Sequence, residues 1–238
     1  MVIIPGPRAP LHEKEEERLK AYLNAAGKVM FLLDPDSPDS YAKFLGEYGI
    51  EIGNDLIVDK LSRLFGMDYF VPTVTQYEPH PITDRFNLIT FFPLARSVKP
   101  KAKPGPGLTV QSIAKTGENS WGETDQEKLE AGEAAFDKEK DTAGPVSVAV
   151  VASIEPRVKK TDDEEPDEQD KSKKARLVVF GDSDFAANNA LKLQGNSDLF
   201  LNTVSWLAEE ENLIAIRPRE NEGSPVLLSG AEPRAIFW

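Results

Sequence analysis

The chain has 238 residues, 40% of them hydrophobic and 29% charged, with a formal net charge of −12. That acid excess argues against nucleic-acid binding and against electrostatic docking on an anionic membrane face. With no cysteine and two histidines, His12 and His80, the sequence excludes disulfides, thiolate catalysis and Cys-ligated zinc, and a His-rich metal site lacks ligands.

Val2-Ile3-Ile4 predicts a short strand, and Pro5-Gly6-Pro7-Arg8 a turn. Pro10 suits a first helical position, and Glu13, Glu15, Glu16 and Glu17 suit the positive end of a helix dipole. Leu19, Tyr22, Leu23 and Ala26 share one face of that helix, and Gly27 stops it. Residues 28–33 form a second strand ending at Asp34-Pro35, so the opening reads as a strand–helix–strand crossover between parallel strands. Ser37-Pro38 caps a second helix carrying Tyr41, Phe44, Leu45 and Tyr48 on one face, with Gly49 beyond.

Residues 50–52 and 56–58 are short strand candidates. From residue 69 the pattern is irregular and β-rich, with strands expected at 73–75, 88–92 and 94–98 and prolines marking their ends. Residues 99–107, rich in proline and glycine, read as a loop, and 108–113 as a strand. Residues 118–141 read as an exposed excursion, partly helical over 126–136. Residues 146–154 are nearly all small or β-branched and predict a central strand. Residues 162–170 hold seven acids in nine positions between flanking lysines and read as a solvated loop.

The stretch 175–207 organises the rest. Leu177 to Phe180 is an apolar run short enough for a buried strand. Gly181-Asp182-Ser183-Asp184 breaks it with turn formers, and Ser197 or Asp198 caps a helix with Phe200, Val204 and Leu207 on one face and Trp206 beside it. Residues 213–216 read as a last strand. The fold class expected is α/β, a mainly parallel sheet flanked by helices with a β-rich insertion. The domain organisation expected is one domain over 1–216, with a β-rich middle at 69–145 and a charged flexible loop at 159–174. No apolar run approaches the ~20 residues needed to span a bilayer. The rising hydrophobicity of Ala235-Ile236-Phe237-Trp238, ending on an interfacial-type tryptophan, sets the expectation that 217–238 is a tail leading toward a membrane anchor.

Gly181-Asp182-Ser183 after a strand resembles the nucleophile turn of lipase-like hydrolases, but no histidine follows residue 80 to take the serine proton. Asp182-x-Asp184 resembles the aspartyl pair of Mg²⁺-dependent phosphohydrolases, which keeps that reaction as an alternative. The other reading is that Asp182 and Ser183 cap a turn. No glycine-rich phosphate loop is present, and no cofactor is expected. Asn188, Asn189 and Asn202 are candidates for a polar pocket; Asn202, mid-helix, is explained equally by a bond to the Gly181–Asp184 turn or by solvent exposure.

Ile3-Ile4-Pro5-Gly6-Pro7, the helix ending in Ala26-Gly27-Lys28, and Leu32-Leu33-Asp34-Pro35 resemble the start of the auxiliary-component domain of uncharacterised ABC transport systems, gliding-motility type. Val179-Phe180-Gly181-Asp182-Ser183-Asp184-Phe185 and Gly195-Asn196-x-Asp198-Leu199-Phe200-Leu201-Asn202-x-Val204-x-Trp206-Leu207 are similar to that family's C-terminal signature. The resemblance implies a flavodoxin-like or glutamine-amidotransferase-like fold without the amidotransferase triad. It implies a domain held outside the cytoplasmic membrane by transmembrane helices, with the permease and ATPase of the transporter as partners. The function expected is a non-catalytic binding or interaction domain, with a structural spacer as a further alternative. A polar solute such as a carbohydrate is expected near predicted strand ends, at Pro5, Gly6, Pro7, Asp34, Asp182, Ser183, Asp184, Asn188, Asn189 and Asn202.

Overall fold

The structure, a computed structural model, describes residues 1–155 and 174–209. The expected acidic loop at 162–170, the strand at 213–216 and the tail at 217–238 lie outside the described residues. The opening crossover forms as predicted: β1 (Val2–Pro5), α1 (Glu13–Asn24) and β2 (Lys28–Leu32), with β1 and β2 parallel. α1 begins later than Pro10 suggests, after His12, whose N–H donates to the Glu15 carboxylate at 3.0 Å. Its end is a Schellman turn: Gly27 N–H donates to Tyr22 C=O at 2.8 Å and Ala26 N–H to Leu23 C=O at 3.0 Å. Ala26 takes the left-handed position, φ +59°, where glycine is the usual occupant.

α2 (Asp39–Gly46) starts after Pro38 and lays Tyr41, Phe44 and Leu45 into the core. Ser37 makes no cap; its hydroxyl is buried with no hydrogen-bond partner. Two short strands follow, β3 (Ile50–Ile52) and β4 (Leu56–Asp59), then a 3-10 turn over Lys60–Phe65. β5 (Thr73–Tyr77) and β6 (Thr90–Phe91) come next. The expected strand at 94–98 does not form. Leu94 adopts φ +58°, and pairing resumes only in β7 (Val98–Pro100), which takes the first residues of the expected loop and pairs antiparallel with β3.

β8 (Leu108–Thr116) is longer than predicted. The region expected to be an exposed excursion holds β9 (Ser120–Glu123), all four residues buried. It continues with the short helix α3 (Gln126–Ala131) and β10 (Thr142–Ala143). β4, β9 and β10 form a three-stranded sheet in which Trp121 is buried. A local pattern cannot show that burial, because the neighbours of Trp121 come from far upstream: Val58 of β4 is its strand partner and the Lys60 ammonium stands 5.4 Å over its ring.

β11 (Ser147–Ile154) and β12 (Ala175–Phe180) complete the main sheet, whose strand order is β1-β2-β12-β11-β8-β5-β6. β1–β2 and β2–β12 are parallel; β12–β11, β11–β8, β8–β5 and β5–β6 are antiparallel. The expectation of a mainly parallel sheet is therefore corrected. The fold is mixed α/β, mostly antiparallel, because the central strand β11 runs against both neighbours. An apolar run states that a strand is covered on both faces but not which way its neighbours run.

α1 and α2 cover one face through Leu23, Tyr41, Phe44 and Leu45. α4 (Asn196–Leu207) covers the other through Leu199, Trp206 and Leu207. α4 is capped by neither Ser197 nor Asp198. It starts on Asn196, which is fully buried. The Asn196 Oδ1 accepts the Phe91 N–H at 2.9 Å, and its Nδ2 donates to the Phe91, Ala190 and Phe185 carbonyls at 2.9, 3.0 and 3.3 Å. One side chain thus ties edge strand β6 to the loop between β12 and α4. Asn196→Ala leaves these buried backbone groups unpaired and is expected to lower unfolding stability by about 3 kcal/mol or more, read as a fall in the urea midpoint. Ala26→Gly is expected to raise it by about 1 kcal/mol, since glycine relieves the left-handed backbone.

Candidate functional site

The parallel registers align three strand ends: Pro5 of β1 lies beside Leu32 of β2, and Leu32 beside Phe180 of β12. Backbone bonds hold the exits together, Gly6 N–H to Leu32 C=O and Leu33 N–H to Phe180 C=O, both 2.9 Å. A carboxylate then locks two of the exits to each other. Asp34 Oδ1 accepts the Ser183 N–H at 2.7 Å, and Oδ2 accepts the Ser183 hydroxyl at 2.9 Å. The third exit closes on this pair without room for a side chain. A Cβ on Gly6 would stand 2.8 Å from Ser183 Oγ and 3.0 Å from Asp34 Oδ2, and Gly6 has φ +52°. Only glycine meets both conditions there.

Beside the lock lies an open cleft of about 390 Å³. Ile3, Leu32 and Phe200 give it an apolar wall, and Asp34, Ser183 and Arg8 a polar rim. The Arg8 side chain is 66% exposed and forks between Asp36 and Asp34, the latter at 3.5 Å. Surface ion pairs of this kind contribute little to stability, so the guanidinium is free to exchange partners at small cost.

Asp182 lies beneath the cleft, fully buried, and caps the turn. Its two oxygens accept the Asp184 and Phe185 N–H groups at 2.7 and 3.0 Å. Burial pushes its carboxyl well above the ordinary carboxylate range, against the pull of those two donors. Asp184 is half-buried at the start of the 3-10 turn Asp184–Ala186. Among the described residues no group of three or more His, Cys, Asp or Glu is placed to hold a metal ion.

Of the residues singled out in the sequence, Pro5, Gly6, Asp34 and Ser183 come together around the cleft. Pro7 sits one residue from Gly6, partly buried, and does not line it. Asn188 and Asn189 are exposed in the loop after the 3-10 turn. Asn202 is buried, so neither explanation offered for it holds: its Nδ2 donates to the Ile82 carbonyl at 3.1 Å, away from the Gly181–Asp184 turn. His80 accepts the Ile82 N–H at 3.2 Å and its ring stands 4.8 Å from that of Trp206.

Sequence reasoning missed Arg96. It is buried, its Nε donates to Gly53 C=O at 2.7 Å and its Nη1 to Asp34 C=O at 3.2 Å. Burial pulls its pKa down, opposed by the nearby Asp55, Asp39 and Asp34. Its N–H also donates to Gly181 C=O at 2.8 Å, so Arg96 braces the Asp34 and Gly181 exits from behind. The available signal was a lone arginine ending the apolar stretch Phe91-Phe92-Pro93-Leu94-Ala95.

The model of the family described as ABC-type uncharacterized transport system matches residues 1–207. No curated protein matches the chain. Among the solved structures that match is one described as "mmIFT52 N-terminal domain". It has a TM-score of 0.58 and 17% identity, over 87% of this chain and 76% of that one. At that identity the likeness concerns the fold. The lock and the rim arginine separate cleanly by mutation. Asp34→Asn is expected to lower unfolding stability by about 2 kcal/mol, because the amide keeps one acceptor oxygen for Ser183 but loses the other, and with it the charge that strengthens both bonds, whereas Arg8→Ala costs less than about 1 kcal/mol; paired urea titrations check both.

Proposed function

The chain belongs to the ABC-type uncharacterized transport system family, an auxiliary component of such a system, and from that premise we propose that it is a non-catalytic binding domain acting outside the cytoplasmic membrane. The observation that carries this reading is the cleft at the carboxyl ends of β1, β2 and β12, where ligands of α/β sheets gather. Its occupant is a polar solute with one apolar face, such as a carbohydrate. Phe200, Ile3 and Leu32 supply the apolar wall, and Asp34, Ser183 and Arg8 supply acceptors and donors along one side. The permease and ATPase of the transporter are the partners, and a membrane anchor holds the domain in place. The parallel half made by β1, α1, β2 and β12 supports placing the domain with flavodoxin-like or glutamine-amidotransferase-like folds. The motifs around Pro5, Asp34 and Gly181 support the gliding-motility type.

A phosphohydrolase needs Asp182 and Asp184 converging on a cation, and the buried, doubly bonded carboxylate of Asp182 counts against it. A thermal-shift series against sugars, nucleotides, phosphate esters and Mg²⁺ tests the reading. A solute at 100 times its Kd adds about 2.7 kcal/mol of stability. The expected outcome is a clear rise in Tm with a sugar or similar polyol, lost in Arg8→Ala, which leaves the unliganded Tm almost unchanged. A shift with Mg²⁺ alone would favour the phosphohydrolase, and no shift with any solute would favour a spacer or subunit contact.

A further inference from the structure

The edge of the main sheet farthest from the cleft carries an apolar surface that folding does not require. The 3-10 turn after β4 ends in Leu64 and Phe65, which are 80% and 42% exposed. Phe65 meets Phe91 of edge strand β6 with ring centroids 5.8 Å apart. Two backbone bonds fold the following segment onto the same place, Asp59 N–H to Tyr69 C=O at 2.9 Å and Leu94 N–H to Phe70 C=O at 2.8 Å. They bring Tyr69, 45% exposed, and Leu94, 50% exposed, into the neighbourhood.

Leu94 is the telling residue. It holds φ +58° with half its surface in water. A bulky side chain in the left-handed region is strained, and an exposed one returns little apolar burial for that strain. Glycine or asparagine would serve the backbone better. The strained, exposed leucine therefore points to a role met outside the monomer.

The shape and charge of the patch select the occupant. Leu64 projects from a turn, and beyond it a Cβ on Gly66 would meet nothing within 4 Å. A protruding apolar tip suits a fluid surface that closes around it. Two exposed cations flank the tip, Lys60 over the Trp121 ring at 5.4 Å and Arg63 over the Tyr69 ring at 5.2 Å. One exposed carboxylate, Asp68, lies beside them and accepts the Phe70 N–H at 3.1 Å, so the patch keeps a net positive charge in a chain of net charge −12. Cations beside exposed leucine, phenylalanine and tyrosine are complementary to lipid headgroups and acyl chains. Whole-chain charge opposes long-range attraction to anionic lipid, so the contact is made by apolar insertion with the two cations at headgroup depth.

We propose that Leu64, Phe65, Tyr69 and Leu94, with Lys60 and Arg63, form a lipid-docking face that seats this domain on a membrane surface. The proposal is independent of the cleft, which lies at the β1 side of the sheet. Co-sedimentation with phosphatidylcholine vesicles containing phosphatidylglycerol tests it. The wild-type chain is expected to pellet with the vesicles. Leu64→Asp is expected to weaken partitioning about tenfold or more while leaving Tm and circular dichroism unchanged. Leu94→Gly, which keeps the left-handed backbone and removes the side chain, is expected to weaken it without unfolding. Leu201→Asp, at an exposed leucine on α4, is expected to bind like the wild type. A wild-type chain that stays in the supernatant overturns the proposal, as do patch variants that bind normally. Patch variants that abolish self-association instead of vesicle binding also overturn it and assign the face to a second copy.

Discussion

Everything in this fold answers to the burial of β11 on both faces. Seven of its eight residues are buried, and it pairs along its length with β12 on one side and β8 on the other. A strand with no solvent face needs a layer above and a layer below. Val150, Ala152 and Ile154 point to the core under α1 and α2, and Val148, Ala149 and Val151 to the core under α4. Val148 and Ala149 fall on the same side where the register with β8 shifts, an irregularity that lets one strand supply two consecutive residues to one core. Without two covered faces, β11 would expose a β-branched run of the kind that aggregates.

The same geometry makes the cleft. Placing β12 between parallel β2 and antiparallel β11 puts the end of β12 beside the ends of β1 and β2 and beside the start of β11. Strand exits crowd there, and crowded exits carry backbone groups that the ladder no longer pairs. Asp182, Asn196 and Arg96 each satisfy several backbone groups with one side chain, and Asp34 takes one backbone N–H together with the Ser183 hydroxyl. Three of the four are 5% exposed or less, and Asp34 is 8% exposed. Asp182, the residue shared by both catalytic readings, therefore acts as a backbone partner. What is left for a ligand is the outer surface of the lock and the exposed charge of Arg8.

The polar cleft at one side of the sheet and the apolar tip at the other have different physical demands. The cleft depends on joined exits, because Asp34 bonds Ser183 twice and Gly6 lies against both with no room for a side chain. The tip depends on exposure, and its strained leucine is maintained by the bond from Leu94 to Phe70 rather than by packing. The two surfaces lie at opposite sides of the sheet, so neither constrains the other.

The sequence by itself determined the local units. The strand–helix–strand opening, the face of α2 bearing Tyr41, Phe44 and Leu45, the small and β-branched run of β11 and the turn after Phe180 were all legible. Each is written in residues a few positions apart, through helical spacing, β-branched runs or turn chemistry. It also placed Pro5, Gly6, Asp34 and Ser183 at strand ends, where a site was expected. Tertiary structure decided the direction of the strands, the burial of β9 and the fate of the asparagines. Strand direction is decided by which chain segment supplies the neighbour, and hydrophobicity carries no sign for it. Asn188, Asn189, Asn196 and Asn202 look alike in sequence. Two are solvated and two are buried, because only the folded chain sets the Phe91 backbone and the Ile82 carbonyl against the latter pair. A side chain's partner more than a hundred residues away is a property of the fold, and no local pattern states it.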